Sequence, residues 1–157
     1  MEKKYTGEVW EVCNVSDTVK AFYRDILVHV LYIESRKKQV SQRLLLTKSE
    51  RLRLRIIREF LSLDLDKHTL LQQAAVVGFQ NREFDVLDHL RKLYGVEDYD
   101  ELPERIRQEI QRTERLLLPI VNEIRYPKSS GFFERRLAQE VNKYVTSQAR
   151  EYVKVKL

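Results

Sequence analysis

Alternation of apolar and polar positions opens the chain. Across Gly7 to Val15, Val9, Glu11, Cys13 and Val15 fall on one side, and Glu8, Trp10, Val12 and Asn14 on the other, the period-two pattern of a strand. The run Ile26-Leu27-Val28-His29-Val30-Leu31-Tyr32-Ile33 is β-branched and aromatic, breaks at Glu34-Ser35-Arg36-Lys37-Lys38, and resumes from Val40 to Leu46. A hairpin with a basic tip accounts for it. The alternative for residues 18–33 is one buried helix, because a short apolar run does not distinguish the two.

From Thr47 the period lengthens to that of helices. Thr47-Lys48-Ser49-Glu50 is a capping-box pattern that predicts a helix to about Ser62. A second is expected from about Asp66 through Val77, with Gly78 near its end. Asn81 is a candidate cap for a third, which stops at Gly95. Pro103 suits the first turn of a fourth, and Pro119 kinks or ends it after Leu118. Tyr126 to Gly131 reads as a loop, residues 132–153 as a last helix, and 154–157 as a loosely held tail. The expected fold class is α+β: one domain over 1–157, with strands over 1–46 and about five helices over 47–157.

A chain of 157 residues with 43% hydrophobic residues suffices for one modest core. No window is long and apolar enough to span a membrane, and the start lacks the apolar segment of an export signal, so a cytoplasmic protein without a membrane partner is expected. The single cysteine, Cys13, excludes an internal disulfide and a cysteine-rich zinc site. Few glycines and many Arg, Glu and Lys residues fit a protein that works hot.

The net charge of +5 conceals a partition: residues 1–62 carry +5, residues 63–106 carry −5, and residues 107–157 carry +5. Basic flanks attract phosphate backbones. Phosphate-loop, dinucleotide, nucleophile-elbow and HExxH motifs are all missing, so no nucleotide cofactor is expected. His29, His68 and His89 lack the close spacing of metal ligands.

The segment Arg82 to Tyr94 carries the densest chemistry. Val86, Leu87, Leu90, Leu93 and Tyr94 make an apolar stripe with Glu83 projecting onto it, and Asp85, Asp88, His89 and Lys92 occupy the opposite face. A carboxylate on an apolar stripe must be desolvated, paired or at the helix edge, and desolvation lifts its pKa toward acid–base use, so Glu83 is the first catalytic candidate. The competing reading is an acid in a first helical turn, favoured there by the dipole alone. Glu83, Asp85 and Asp88, with acids from Asp98 to Glu101, would suit Mg²⁺, while Lys92 or Arg82 would stabilise charge on a scissile phosphate. His89 completes that face, whose alternative reading is a solvated set of ion pairs. The spacing from Arg82 to His89 is also similar to that of HEPN-type ribonucleases, although Phe84 stands near the arginine where a polar residue is usual.

Arg51, Arg55 and Arg58 share one helical stripe opposite Ile56, Ile57 and Phe60, and arginine forks suit phosphate oxygens. With Lys37, Lys38, Arg43 and Lys48 they form one candidate DNA-binding flank. Arg135, Arg136, Lys143 and Arg150 offer another. The alternative is a solvated face partly neutralised by Glu50 and Glu59. Tyr23, Tyr32, Tyr144 and Tyr152 are candidates for stacking, the last two sharing a packing stripe with Leu137 and Val141.

In length, composition and order of strands before helices, the whole chain resembles the small orphan proteins of filamentous viruses that infect hyperthermophilic archaea. The resemblance implies an α+β fold and a nuclease acting on linear double-stranded DNA with an essential glutamate, a role that falls on Glu83. The expected function is therefore Mg²⁺-assisted phosphodiester hydrolysis. A DNA-binding or virion protein without chemistry is the competing class, and a helical partner-binding protein the third.

Overall fold

The computed structural model describes residues 2–126 and 131–154, with side chains from residue 15 onward. It contains α1 (Glu2–Leu46), α2 (Glu50–Gln80), α3 (Phe84–Tyr94), a short 3₁₀ turn (Tyr99–Glu101), α4 (Leu102–Arg125) and α5 (Phe132–Lys154). No strand occurs among the described residues, so the expected α+β fold with an N-terminal sheet is corrected to an all-helical one. The strand order that supported the viral resemblance goes with it. Most of the expected loop over 126–131, and the tail beyond 154, lie outside the described residues.

The physical reason for the correction lies in spacing beyond the reach of a short window. A strand over 26–33 would bury Ile26, Val28, Val30 and Tyr32 together; instead Val28 and Tyr32 are exposed, whereas Ile26 and Ile33, seven positions apart, are both buried. Val19, Tyr23, Ile26, Ile33, Lys37, Val40 and Leu44 are all buried on α1, separated by three, four or seven, which is a helical seam. The predicted hairpin tip at 34–38 lies inside that helix.

The turn into α2 also differs from the capping-box pattern. Thr47 Oγ1 donates back to the Arg43 carbonyl at 2.6 Å, and Ser49 Oγ accepts from the Leu52 amide at 3.5 Å, so the cap falls two residues later. The expected break between Ser62 and Asp66 does not form, and α2 runs on to Gln80. Asn81 does not cap α3: its side-chain amide donates to the Val77 carbonyl at 2.8 Å, and Glu83 holds the cap position without a side-chain capping bond. The other end of α3 follows expectation. Gly95 adopts a left-handed φ of 67°, and the Gly95 and Val96 amides donate to the Lys92 and Arg91 carbonyls at 3.3 and 3.1 Å, a Schellman ending. Pro103 stands in the first turn of α4, which continues through Pro119.

Contacts divide the chain into two compact units, the first Met1–Val30 with Thr69–Gln108, the second Leu31–His68 with Glu109–Leu157. In the first, Val19, Tyr23, Ile26, Leu71, Ala74, Ala75, Val86, Leu87, Leu90, Leu102 and Ile106 are buried. Gly78 admits α3 closely there, since a Cβ at that position would stand 3.0 Å from Leu87 Cδ2. In the second, Val40 and Leu44 of α1, Leu54, Ile57, Phe60 and Leu61 of α2, Ile120 of α4, and Ala138, Val141, Val145 and Ala149 of α5 form one core cluster. Each fully buried Leu or Ile contributes roughly 2 kcal/mol, so packing of these seams, rather than intrinsic propensity, stabilises the helices. Gly95→Ala, which places a Cβ on left-handed backbone, is expected to lower the free energy of urea unfolding by about 1 kcal/mol, with Gly95→Asn losing less.

Candidate functional site

Helix α3 faces α1 within the first unit. Ser16 Oγ donates to Glu83 Oε2 at 2.8 Å, and Lys20 Nζ stands 3.8 Å from Glu83 Oε1 and 3.4 Å from Asp85 Oδ2. The Glu83 side chain is only 12% exposed. Because Glu83 does not cap its own helix, its carboxylate is free to tie α3 to α1, and Lys20 already supplies the positive charge between the two acids. Asp88 belongs to a different group: it accepts from Arg91 at 3.0 Å and pairs with Lys92 at 3.2 Å. Those bonds, from Arg91 first, hold the Asp88 carboxyl below its ordinary pKa.

His89 Nδ1 shares a hydrogen bond with the hydroxyl of Tyr23, a buried ring whose burial raises its pKa. Arg82 is exposed in the turn before α3 at a left-handed φ of 50°. Glu83, Asp85 and Asp88 therefore do not converge as a triad, and among the described residues no group of three or more His, Cys, Asp or Glu side chains is placed to hold a metal ion. Val86, Leu87 and Leu90 of the predicted stripe are buried, but Leu93 is exposed.

The basic candidates separate into two classes in the second unit. Lys37 is 3% exposed and thus buried, Lys38 is half-buried, and Arg43 pairs with Glu59 at 3.4 Å. Lys48, Arg51, Arg55, Arg58, Arg135 and Arg136 are exposed. Arg51 and Arg55 of α2 and Arg135 of α5 line one open groove of about 650 Å³, with Glu50, Leu54, Glu123, Ile124 and Gln139. Two segments separated by some eighty positions in sequence thus supply guanidinium groups to one concavity. Between them in sequence, Arg53 has another task. Its guanidinium donates to the Leu44 and Thr47 carbonyls at 2.7 and 3.0 Å, and to Asn142 Oδ1 and Thr146 Oγ1 at 3.1 and 2.6 Å. It closes the end of α1 and fastens it to α5.

Sequence reasoning missed a buried polar layer in this unit. Lys37 Nζ donates to Asp64 Oδ1 at 2.6 Å and lies 4.8 and 4.6 Å from the ring centres of Phe60 and Tyr152. Lys67 Nζ lies 2.7 Å from Glu34 Oε1, and the Tyr152 hydroxyl donates to Glu34 Oε2 at 2.6 Å. Thr113 Oγ1 is 3.2 Å from Asp64 Oδ2. His68 Nε2 stands 3.8 Å from both Asp64 Oδ2 and Glu109 Oε2. Burial by itself would raise the Asp64 carboxyl, but Lys37, aided by His68 and Lys67, outweighs it and holds the group below its ordinary value. Glu34 is lowered in the same way, with Lys37 and Lys67 overcoming its burial. Burial also lowers His68, against the pull of Asp64 and Glu109. The available signal was periodic: Leu54, Ile57, Leu61, Asp64, His68, Leu71 and Ala75 recur at alternating spacings of three and four, so two ionisable residues sit in an apolar seam.

Among the described residues no helix is long and apolar enough to cross a membrane. Compared with protein-family models, curated proteins and solved structures, the chain matches none of them.

Removing one partner of a buried pair strands the other charge. Asp64→Ala is therefore expected to cost about 3 kcal/mol in chemical denaturation, and Lys37→Met combined with Asp64→Leu to recover most of it. A depressed folded-state pKa at His68 means that the unfolded chain takes up the proton first. Stability is thus expected to fall as pH drops through 6.5 toward the lower folded value, and His68→Gln to flatten that part of a melting-temperature profile.

Proposed function

We propose that this chain binds the phosphate backbone of DNA through the arginine groove of its second unit. The observation that carries this reading is the meeting of Arg51, Arg55 and Arg135 from α2 and α5 in one concavity. Guanidinium forks present paired donors to phosphate oxygens, and three around one groove give a backbone footprint rather than an isolated contact. Charge supports it. The second unit holds 20 Lys and Arg against 11 Asp and Glu, or +9, and the first unit 9 against 13, or −4. A polyanion is drawn to the former and repelled by the latter. Glu50 and Glu123 share the groove with the arginines and would repel a phosphate that came close to them.

Cleavage of linear duplex DNA at Glu83 is the second reading. Its support is the grouping of a hydroxyl, an ammonium and a largely buried carboxylate, Ser16, Lys20 and Glu83, beside exposed Asp85. Lys20 would hold a phosphate oxygen and Glu83 would take the proton of the water that attacks phosphorus, while the bond from phosphorus to one sugar oxygen breaks and that oxygen takes a proton from solvent; Mg²⁺ would have to compete with Lys20 for the two acids.

Fluorescence anisotropy with labelled linear duplex across a salt series tests binding. The logarithm of affinity should fall linearly with the logarithm of salt concentration, and Arg55→Ala or Arg135→Ala should each reduce the slope by about one. A flat salt dependence defeats the proposal. Incubation of the same duplex with Mg²⁺ or with EDTA, beside Glu83→Gln, tests cleavage: retained cutting by the variant removes Glu83, and intact DNA in every condition leaves the binding function alone.

A further inference from the structure

We propose that the groove receives an unpaired DNA strand, and that Phe132 is the platform on which one of its bases stacks. This rests on the phosphate-binding reading above and names the form of DNA that fits it. Phe132 and Phe133 begin α5 and are 82% and 72% exposed. Phenyl rings left in water forgo the gain of burial, so two adjacent ones on a strongly basic unit call for an occupant.

Their position specifies it. Phe132, Arg135 and Gln139 are separated by three and four residues and share one stripe of α5, and Arg135 and Gln139 line the groove with Arg51 and Arg55. Phe132 thus stands on the stripe that carries Arg135 and Gln139 into the groove, about one helical turn before Arg135. Duplex DNA keeps its base faces stacked and offers only edges in its grooves. An exposed ring beside backbone contacts has a counterpart only where a base is unstacked, in a single strand or a frayed end. The positive charge of the unit selects this occupant over an apolar peptide, because every nucleotide brings a phosphate for the arginines with each base for the ring.

Anisotropy titrations at one salt concentration decide the matter, using a labelled oligothymidylate and a blunt duplex closed by a hairpin, with the same number of phosphates. Wild type should bind the oligothymidylate more tightly. Phe132→Ala should weaken that complex about tenfold and leave the blunt duplex unchanged, while Phe132→Trp should preserve it. A 2-aminopurine base in the strand should change its fluorescence on binding to wild type and not to Phe132→Ala. Since Phe132 is exposed, circular dichroism of the alanine variant should match wild type. Equal affinity for the two probes, or equal weakening of both by Phe132→Ala, overturns the inference. If Arg55→Ala and Arg135→Ala weaken both probes while Phe132→Ala changes neither, stacking alone is refuted; if the arginine variants also change neither, the groove reading falls with it.

Discussion

Burial of the Lys37 ammonium is the constraint around which the second unit is arranged. An unpaired charge in a helical core costs several kcal/mol, so the surrounding helices must deliver partners at hydrogen-bonding distance. Helix α2 delivers Asp64 and the Phe60 ring, α5 the Tyr152 ring, and α4 supplies Thr113 and Glu109 to the carboxylate and imidazole beyond. Ser41, fully buried one turn further along α1, returns its hydroxyl to the Lys37 carbonyl at 2.7 Å. An apolar core accepts several neighbouring packings, whereas a buried ion pair such as Lys37 with Asp64 ties the helices to one register. Sliding α1 by a single turn would leave Asp64 without the Lys37 ammonium. The layer thus selects an arrangement at some expense in stability, as polar residues in helical seams do elsewhere.

The surface follows a different rule. Cations outnumber acids in the second unit, and arginines from two distant segments line one groove there. In the first unit the acids are answered locally: Lys20 for Glu83 and Asp85, Arg91 and Lys92 for Asp88. Counting charge by folded unit rather than along the chain turns a basic–acidic–basic sequence into one basic body and one mildly acidic one. Charged groups that the sequence concentrated near Glu83 are divided between an anchoring contact in one unit and an arginine-lined groove in the other.

Helices bounded by strong stop signals were legible. The ending of α3 at Gly95, the placing of Pro103 and the extent of α5 all follow from local backbone chemistry, which acts over two or three residues. Helix α1 was not legible from the same kind of window, because the eight residues from Ile26 to Ile33 are almost all apolar and satisfy both periods. Only the distance from Val19 to Leu44 makes the seam at three and four unambiguous. Of the site, Arg51, Arg55 and Arg135 were identifiable as cations, but their meeting depends on the packing of α5 against α2, which no local pattern records. Lys37 and Asp64 were hidden for the opposite reason: a charged residue is ordinarily read as surface, and here the seam positions overrule its type. Asn81 and Glu83 show the same limit on a smaller scale: the Asn81 amide turns back to the Val77 carbonyl and the Glu83 carboxylate is taken by Ser16, so neither side chain caps α3.

The bonds of Arg53 carry an implication for the order of assembly. Its contacts to Leu44 and Thr47 span nine and six residues, whereas those to Asn142 and Thr146 span 89 and 93. Closing the short connection between α1 and α2 costs little chain entropy, so this helical hairpin can form early with half of the guanidinium already engaged. The other half remains an open fork until α5 arrives. Docking of the C-terminal helix then completes a donor set prepared in advance, which places the long-range closure late in folding and makes it the step most exposed to competition from other acceptors.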